Sequence, residues 1–422
     1  LQVGYLDMTP SARIQAAIEI LDGLRKTDRP ADRFIRDFFR MRRYAGSKDR
    51  AAVAERVFDV FRHRASYAFR MADDSARALV IAGLLAEGGD PDGLFDGSGY
   101  GPAPLSDAER AAILHPPADQ PPFAAACEFP AFLEDELKRG LGAMLEDEMR
   151  AMQERACVDL RVNMLRAARD TVLFALREDG YAAEPMRWSP WGIRIAAKAG
   201  LAQLQRHALF ESGAFEFQDE AAQIAVLLSG ARPGMRVLDL AAGAGGKALA
   251  LAGAMEGKGD IVASDIDAGR LIQLEPRALR AGAGMIRMRT ISEMAQEPPF
   301  DIVFVDAPCS GSGTWRRQPE QKWRLTPERI TELMSLQDSL LDRATEALAP
   351  AGHIVYATCS LLPCENEDRV AAFLARHPEL RVRPAREGWP AGANLPPGLT
   401  DIFRATPCTT GTDGFFTALL AR

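Results

Sequence analysis

The sequence contains no run of about 18 uninterrupted apolar residues, so a membrane-spanning helix is not expected. Leu1 to Pro10 lacks the basic and apolar regions of a secretory signal. Cysteine is sparse, with six residues at positions 127, 157, 309, 359, 364 and 408 and no CxxC pair among them. That spacing argues against a zinc site and against a disulfide framework in a chain of 422 residues. No metal is expected, the expected setting is a reducing cytoplasm, and any cysteine chemistry is then thiolate chemistry. A surplus of positive charge is also missing: 51 Lys and Arg against 58 Asp and Glu leave a net charge of −7. This counts against a broadly basic nucleic-acid coat and leaves room for a local basic strip. No internal repeat is apparent.

Hydrophobic residues make up 47% of the chain, enough for real cores, and the length implies two or three domains. The first part reads as helical. Ser11 to Lys26 places Ile14, Ala17, Ile18, Leu21 and Leu24 at helical spacing. Arg33 to Tyr44 and Ala51 to Ala68 predict further helices, with Asp49 as a cap before the latter. Gly88 to Leu105 and His115 to Pro122 read as loops. Between about residues 150 and 212 the pattern changes: Val158 to Asn163 and Ile193 to Ile195 alternate like strands, and Arg169 to Asp179 reads as a helix. From Phe215 onward, apolar runs alternate with helical stretches; they begin at Arg236, Asp260, Asp301 and Gly352. That is the pattern of a parallel sheet covered by helices. The expected division is an all-α part over 1–145, a small α/β module over 146–212 and a Rossmann-like α/β domain over 213–422.

The first of these strands runs into Asp239-Leu-Ala-Ala-Gly-Ala-Gly-Gly-Lys247. Gly243, Gly245 and Gly246 allow a tight turn and close approach of a ligand, and the following helix points its free N–H groups there. The second strand ends at Asp265, where a carboxylate suits ribose hydroxyls. A dinucleotide turn needs a third glycine three residues after its second, and from Gly245 that position holds Ala248. A pyrophosphate is thus disfavoured, and Asp239 before the turn suits an amino-acid ammonium instead.

Two further strands end at Asp306-Ala-Pro-Cys309-Ser-Gly-Ser-Gly-Thr and at Thr358-Cys359-Ser360. Ligands in parallel sheets bind beyond the carboxyl ends of the strands, so both cysteines should share a face with the Gly-rich turn and Asp265. A thiolate is the side chain for adding to an electrophilic ring carbon such as C6 of a pyrimidine, which turns C5 into a nucleophile. A second thiol could assist elimination, and Asp306 could neutralise charge on the ring. Cys127, Cys157, Cys364 and Cys408 lack such surroundings and read as packing.

These motifs resemble the Sun/Nop family of RNA cytosine-C5 methyltransferases over about residues 155 to 422. The resemblance is carried by Asp306-Ala-Pro-Cys-Ser-Gly-Ser-Gly-Thr, Arg316-Arg-Gln-Pro-Glu-Gln-Lys-Trp, Thr358-Cys-Ser, Glu365-Asn-Glu, Phe217-Gln-Asp-Glu and Gly411-Thr-Asp-Gly-Phe-Phe. The first part, with Arg40-Met-Arg-Arg-Tyr-Ala-Gly-Ser-Lys-Asp-Arg, is similar to the NusB-like domain of the RsmB-type members, which act on small-subunit ribosomal RNA. The resemblance implies Cys359 as nucleophile, Cys309 as the cysteine for product release, and Asp306 as the acid touching cytosine beside the cofactor. It implies S-adenosylmethionine on Ala241, Ala242, Gly243, Ala244, Gly245, Gly246, Lys247, Asp265 and Asp306. The sequence departs from the family at Ala244-Gly-Gly-Lys-Ala, where Pro-Gly-Gly-Lys-Thr is usual. It departs again where an acid usually follows the third strand, a place that Ser292 or Glu293 could fill, and at Cys408-Thr-Thr, where basic residues are frequent.

For RNA, Arg33, Arg36, Arg40, Arg42, Arg43, Lys48 and Arg50 form a basic stretch whose Phe34, Phe38 and Phe39 turn into the core. Arg316, Arg317, Lys322 and Arg324 follow Cys309 and are expected near a target strand. The base must be flipped or lie in a loop, and the small α/β module over 146–212 is expected to help grip single-stranded RNA. A monomer acting on RNA, with no membrane partner, is the expectation. Competing readings are a non-catalytic RNA-binding assembly factor, a transfer-RNA methylase, and a small-molecule or DNA methylase.

Overall fold

The computed structural model describes residues 8–42, 44–196, 201–390 and 394–422. The chain forms two compact units. One comprises the residues up to Asp135 with Leu145–Gln153 and Trp315–Leu325; the other comprises Glu136–Met144, Glu154–Thr314 and Thr326–Arg422.

The first unit is helical. Its helix Pro10–Leu24 starts with proline at N1 and with the Thr9 side chain accepting from Ala12 N. Ile14, Ala17, Ile18, Leu21 and Leu24 are buried, as their spacing predicts. Phe39 is buried too, with Phe34 and Phe38 packed against the same core. The single helix expected over Ala51 to Ala68 is two, Ser47–Arg62 and Arg64–Met71, broken at His63. Asp49 is therefore not a cap but the third residue of a helix that starts a turn earlier. The helix follows Gly46, which has no capping side chain, so the Asp49 carboxylate reaches back to Gly46 N at 3.1 Å. It also accepts from Met8 N and pairs with Arg13.

Trp315–Leu325 is a strap that belongs to this helical unit although it follows the Cys309 loop in sequence. Its side chains satisfy helix ends. Glu320 Oε1 accepts from Ala31 N at 3.1 Å, at the start of helix Ala31–Arg40, where Pro30 offers no side-chain cap. Lys322 Nζ donates to Arg62 O (3.2 Å) and Trp323 Nε1 to Phe61 O (2.7 Å), at the end of Ser47–Arg62. Glu128 accepts from Ala65 N and Ser66 N at the start of Arg64–Met71. Acids thus meet helix N-termini and a cation meets a C-terminus. These contacts correct the expectation for Lys322. Lys322 is only 2% exposed, and burial, partly opposed by Glu128, lowers its pKa to about 8. Arg324 donates to Asp28 O and Arg29 O.

The second unit holds two sheets. In the smaller, β1 (Val158–Val162), β2 (Ala183–Pro185), β3 (Gly192–Ile195) and β4 (Phe215–Phe217) form an antiparallel sheet in the order β2-β3-β1-β4. Helix Arg169–Glu178 packs Val172 and Leu176 against Leu160, Val162, Ile193 and Phe215. The larger sheet contains β5 (Arg236–Asp239), β6 (Asp260–Ser264), β7 (Ile286–Arg289), β8 (Phe300–Asp306), β9 (Leu348–Thr358), β10 (Arg381–Arg383), β11 (Ile402–Ala405) and β12 (Phe415–Ala421). Its order is β7-β6-β5-β8-β9-β12-β10, with β11 paired to β12. Strands β5 to β9 are parallel, while β12 runs antiparallel to β9, β10 and β11.

Both faces of the parallel part are covered, so its strands read as continuous apolar runs. Val237, Ile261, Ile302, Phe304 and Val355 face helices Glu220–Leu228 and Gly246–Ala254. Leu238, Val262, Val303, Val305 and Ile354 face helices Pro327–Glu346 and Glu367–Arg376. The strand order turns back at β5, which has β6 on one side and β8 on the other. A crevice opens at the carboxyl end of such a strand, and there the Gly-rich turn begins.

Candidate active site

The turn after β5 is shaped first by the protein's own packing. Gly243 (φ 54°) and Gly245 (φ 82°) are left-handed. A Cβ on Gly245 would stand 2.1 Å from Leu274, and one on Gly243 2.5 Å from Arg270. Gly246 has nothing within 4 Å of its Cβ position and alone of the three borders open space. Asp265, expected to meet ribose, uses Oδ2 to accept from Gly243 N (2.7 Å) and Oδ1 to accept from Asp267 N (2.8 Å). It therefore braces the turn, with lone pairs left over. Ala242 donates to Ser264 O and accepts from Gly245 N, while Ala241 and Ala244 are partly exposed.

Asp239 is fully buried beneath this turn; neither carboxyl oxygen makes a hydrogen bond of good geometry, and the Ala248 N–H only weakly favours its charged form. Burial, with the Asp306 charge adding to it and Lys247 opposing, raises its pKa to about 7. A buried acid so poorly satisfied is costly unless a ligand completes it. Such a carboxyl next to an open glycine and a helix N-terminus fits a ligand with an amino-acid end. Lys247 Nζ lies 2.6 Å from Asp306 Oδ2, which ties the turn to the end of β8. Burial pulls the Lys247 pKa down, but the neighbouring charges, Asp306 first and then Cys359 and Asp239, leave it raised.

The two cysteines meet. β8 and β9 are paired parallel with Asp306 opposite Ala357, so the loops after both strands leave the same edge. Cys309 Sγ and Cys359 Sγ are 3.4 Å apart, both partly exposed. The hydrogen bond to Cys359 and then burial hold the Cys309 pKa well above the usual thiol range. Either sulfur can be the donor in this contact, so a proton on Cys309 lies within reach of the Cys359 sulfur.

Behind the cysteines lies a polar cluster that sequence reasoning passed over. Glu365 is fully buried and accepts from Ser310 N (2.8 Å), Ser310 Oγ, Ser360 Oγ and Gln337 Nε2 (3.1 Å). Ser312 Oγ accepts from Leu361 N, and Gly313 N donates to Cys359 O. Asn366 accepts from Thr358 Oγ1 and donates to Ser360 O. Each cysteine is followed by a serine, and both serines bind one carboxyl, so the two loops are tied together directly behind the sulfurs. The signal was present in those two serines and in Glu365-Asn-Glu, which had been read only as a family motif.

The remaining candidates are dispersed. Within the helical unit Arg40 pairs with Asp37, Arg42 pairs with Glu19 and lies over the Phe38 ring, and Lys48 is exposed. Arg316 and Arg317 belong to the strap, and Arg43 lies outside the described residues. Glu293 turns back to accept from Thr290 N and Oγ1, with Ser292 beside them. Of the cysteines read as packing, Cys127 is buried but Cys408 is exposed.

A seven-strand order with an antiparallel β12, a Gly-rich turn at the switch point and a helix after it define a Rossmann-like methyltransferase domain. The family described as 16S rRNA methyltransferase RsmB/F matches residues 226–421, and its ferredoxin-like domain matches residues 129–201. Residues 129–201 and 226–421 of the chain thus carry the two domains of this RsmB/F methyltransferase family. Curated relatives include ribosomal RNA small subunit methyltransferase B of Cronobacter sakazakii, 34% identical over 64% of this chain and 61% of that one. The protein of the same name from Erwinia tasmaniensis is 33% identical over 69% and 66%. The match thus spans less than two thirds of the length of each. Among solved structures, PH0851 is 26% identical with a TM-score of 0.75, covering 99% of this chain and 100% of that one. A methyltransferase homolog from Pyrococcus horikoshii is 26% identical with a TM-score of 0.59, covering 70% and 96%. Among the described residues no helix is long and apolar enough to cross a membrane.

Proposed function

We propose that the protein transfers a methyl group from S-adenosylmethionine to carbon 5 of a cytosine in RNA, and that the RNA is small-subunit ribosomal RNA. The observation that carries this reading is the 3.4 Å approach of Cys309 and Cys359 beside Asp306 and the Gly-rich turn. The names of the relatives, ribosomal RNA small subunit methyltransferase B, support the substrate class.

S-adenosylmethionine, when bound, supplies an electrophilic methyl group. Asp239 and the turn from Ala241 to Lys247 hold it, with Asp265 on the ribose side. Cys359 as thiolate adds to C6 of the cytosine, and the C5–C6 pair becomes nucleophilic at C5. Asp306 shares a proton with ring N3 as negative charge develops there, and the Lys247 ammonium beside it balances the carboxylate. After methyl transfer a solvent water takes the C5 proton, its bonding pair restores the C5–C6 double bond, the proton shared at N3 returns to Asp306, and the C6–S bond breaks with its electrons on sulfur. The Cys309 thiol, hydrogen-bonded to that sulfur, stabilises the departing thiolate. Arg40, Arg42, Arg43, Lys48, Arg316 and Arg317 are assigned to RNA phosphates; the surface ion pairs of Arg40 and Arg42 are worth only about 0–1 kcal/mol each and open readily to a phosphate.

Incubation with methyl-labelled S-adenosylmethionine and unmodified small-subunit RNA should place label on cytosine C5. Absence of transfer to any RNA would sink this reading.

A further inference from the structure

The small antiparallel sheet reaches the Gly-rich turn through side chains with no role so far. Arg161 lies on β1 opposite Glu216 of β4, is 3% exposed, and donates from Nη1 to Gly246 O at 3.2 Å. Gln218, just past β4, directs Nε2 to the same oxygen at 3.5 Å. From helix Leu274–Ala281, Arg277 donates from Nη1 to Ala244 O at 2.5 Å and from Nη2 to Glu216 at 2.8 Å. Arg280 also pairs with Glu216. Buried Glu216 thus orients Arg277, whose far end holds the Ala244 carbonyl, while Arg161, across from Glu216 on β1, holds that of Gly246.

An arginine on an interior strand position is expensive, and an apolar residue would serve the core better. Burial lowers the Arg161 pKa to about 10, with Glu216 opposing the fall, so the group stays charged at neutral pH. What the charge accomplishes follows from the peptide geometry. A trans peptide is rigid, with its C=O and N–H on opposite sides. Holding Gly246 O therefore aims the N–H of Lys247, one of the unsatisfied donors in the first turn of helix Gly246–Ala254, at the opposite side. Gly243 and Gly245 leave the turn little stiffness of its own. The guanidinium groups supply rigidity from outside.

We infer that Arg161 and Arg277 are positioning residues for the cofactor turn, and that the ferredoxin-like module helps to build the S-adenosylmethionine site. This rests on the reading that the turn binds S-adenosylmethionine. The alternative is that the module serves RNA and its own fold only.

The full chain titrated calorimetrically with S-adenosylmethionine alone, without RNA, separates these. Arg161→Met and Arg277→Met should each raise Kd roughly tenfold, the loss of one charge-assisted hydrogen bond. In turnover the KM for S-adenosylmethionine should rise with kcat held within about twofold, and Arg161→Lys should recover part of the loss. If Arg161→Met fails to fold by circular dichroism, the partly exposed Arg277 carries the test. Unchanged Kd in the folded variants, or a fall in kcat at unchanged KM, overturns the inference while leaving the proposed function standing. No binding of S-adenosylmethionine to the parent protein overturns both.

Discussion

Replacing Glu365 by glutamine keeps the shape of the side chain and removes its charge. Oε1 accepts from Ser310 N and Gln337 Nε2, two donors that cannot reverse; Oε2 accepts from the Ser310 and Ser360 hydroxyls, which can. Glutamine therefore fits with its carbonyl toward the fixed donors and its amide toward the serines, which rotate to accept. Each of the four bonds drops from charge-assisted, about 1.5–3 kcal/mol, to neutral, about 1 kcal/mol. Relief from burying a charge offsets part of that. The net loss should be about 1–2 kcal/mol, or a fall of about 2–6 °C in the melting temperature. Glu365→Leu leaves fixed donors facing apolar atoms and should cost about 3–5 kcal/mol. The charge also acts on Cys309: Glu365 adds to the hydrogen bond and burial that hold that thiol up. Glu365→Gln should therefore bring the Cys309 thiolate to lower pH. The assay is thermal unfolding together with the pH profile of iodoacetamide modification at Cys309, located by mass spectrometry. A glutamine variant as stable as the parent, with its Cys309 profile unmoved or shifted upward, refutes the reasoning.

Burial raises the Asp239 pKa to about 7, well above the ordinary carboxyl range. The unfolded chain ionises first, so this residue lowers stability as pH rises from about 4 to about 7. In the absence of cofactor Asp239→Asn should melt higher than the parent at pH 7.5, with the gap closing toward pH 4, and should lose S-adenosylmethionine binding; a gap independent of pH argues against the assigned environment. Gly246→Ala, with open space at its Cβ, should leave the melting temperature unchanged and weaken cofactor binding in the same titration. Gly245→Ala, left-handed and 2.1 Å from Leu274, should instead destabilise the fold by several kcal/mol; equal effects of the two would contradict the packing described. Glu320→Ala uncaps Ala31 N in the helical unit and should cost about 1–2 kcal/mol, read by chemical denaturation; no loss would show the strap contact to be dispensable.

The site was legible in the sequence where chemistry and strand ends coincide. Apolar runs beginning at Arg236, Asp260, Asp301 and Gly352 gave four of the parallel strands, and residues placed at their carboxyl ends had to converge. Local pattern could not say which glycine faces ligand, because that depends on Leu274 and Arg270 packing from another helix. It likewise sets Lys322 near a target strand, since nothing nearby in sequence announces the carbonyl of Arg62 that it meets. The antiparallel strands β10, β11 and β12 passed unnoticed; Phe415–Ala421 reads as an apolar run without a turn signal tying it to β9. Asp49 was misplaced by a turn because Gly46 caps through its backbone only.

The division of labour between the two sulfurs is the centre of the account, and trapping tests it most directly. Cys309→Ala protein mixed with unmodified small-subunit ribosomal RNA and S-adenosylmethionine should accumulate a protein–RNA adduct that survives denaturing electrophoresis. The adduct should vanish in the Cys309→Ala, Cys359→Ala double variant, because Cys359 makes the bond and Cys309 helps to break it. An adduct that forms with Cys359→Ala instead, or none with Cys309→Ala, contradicts the account.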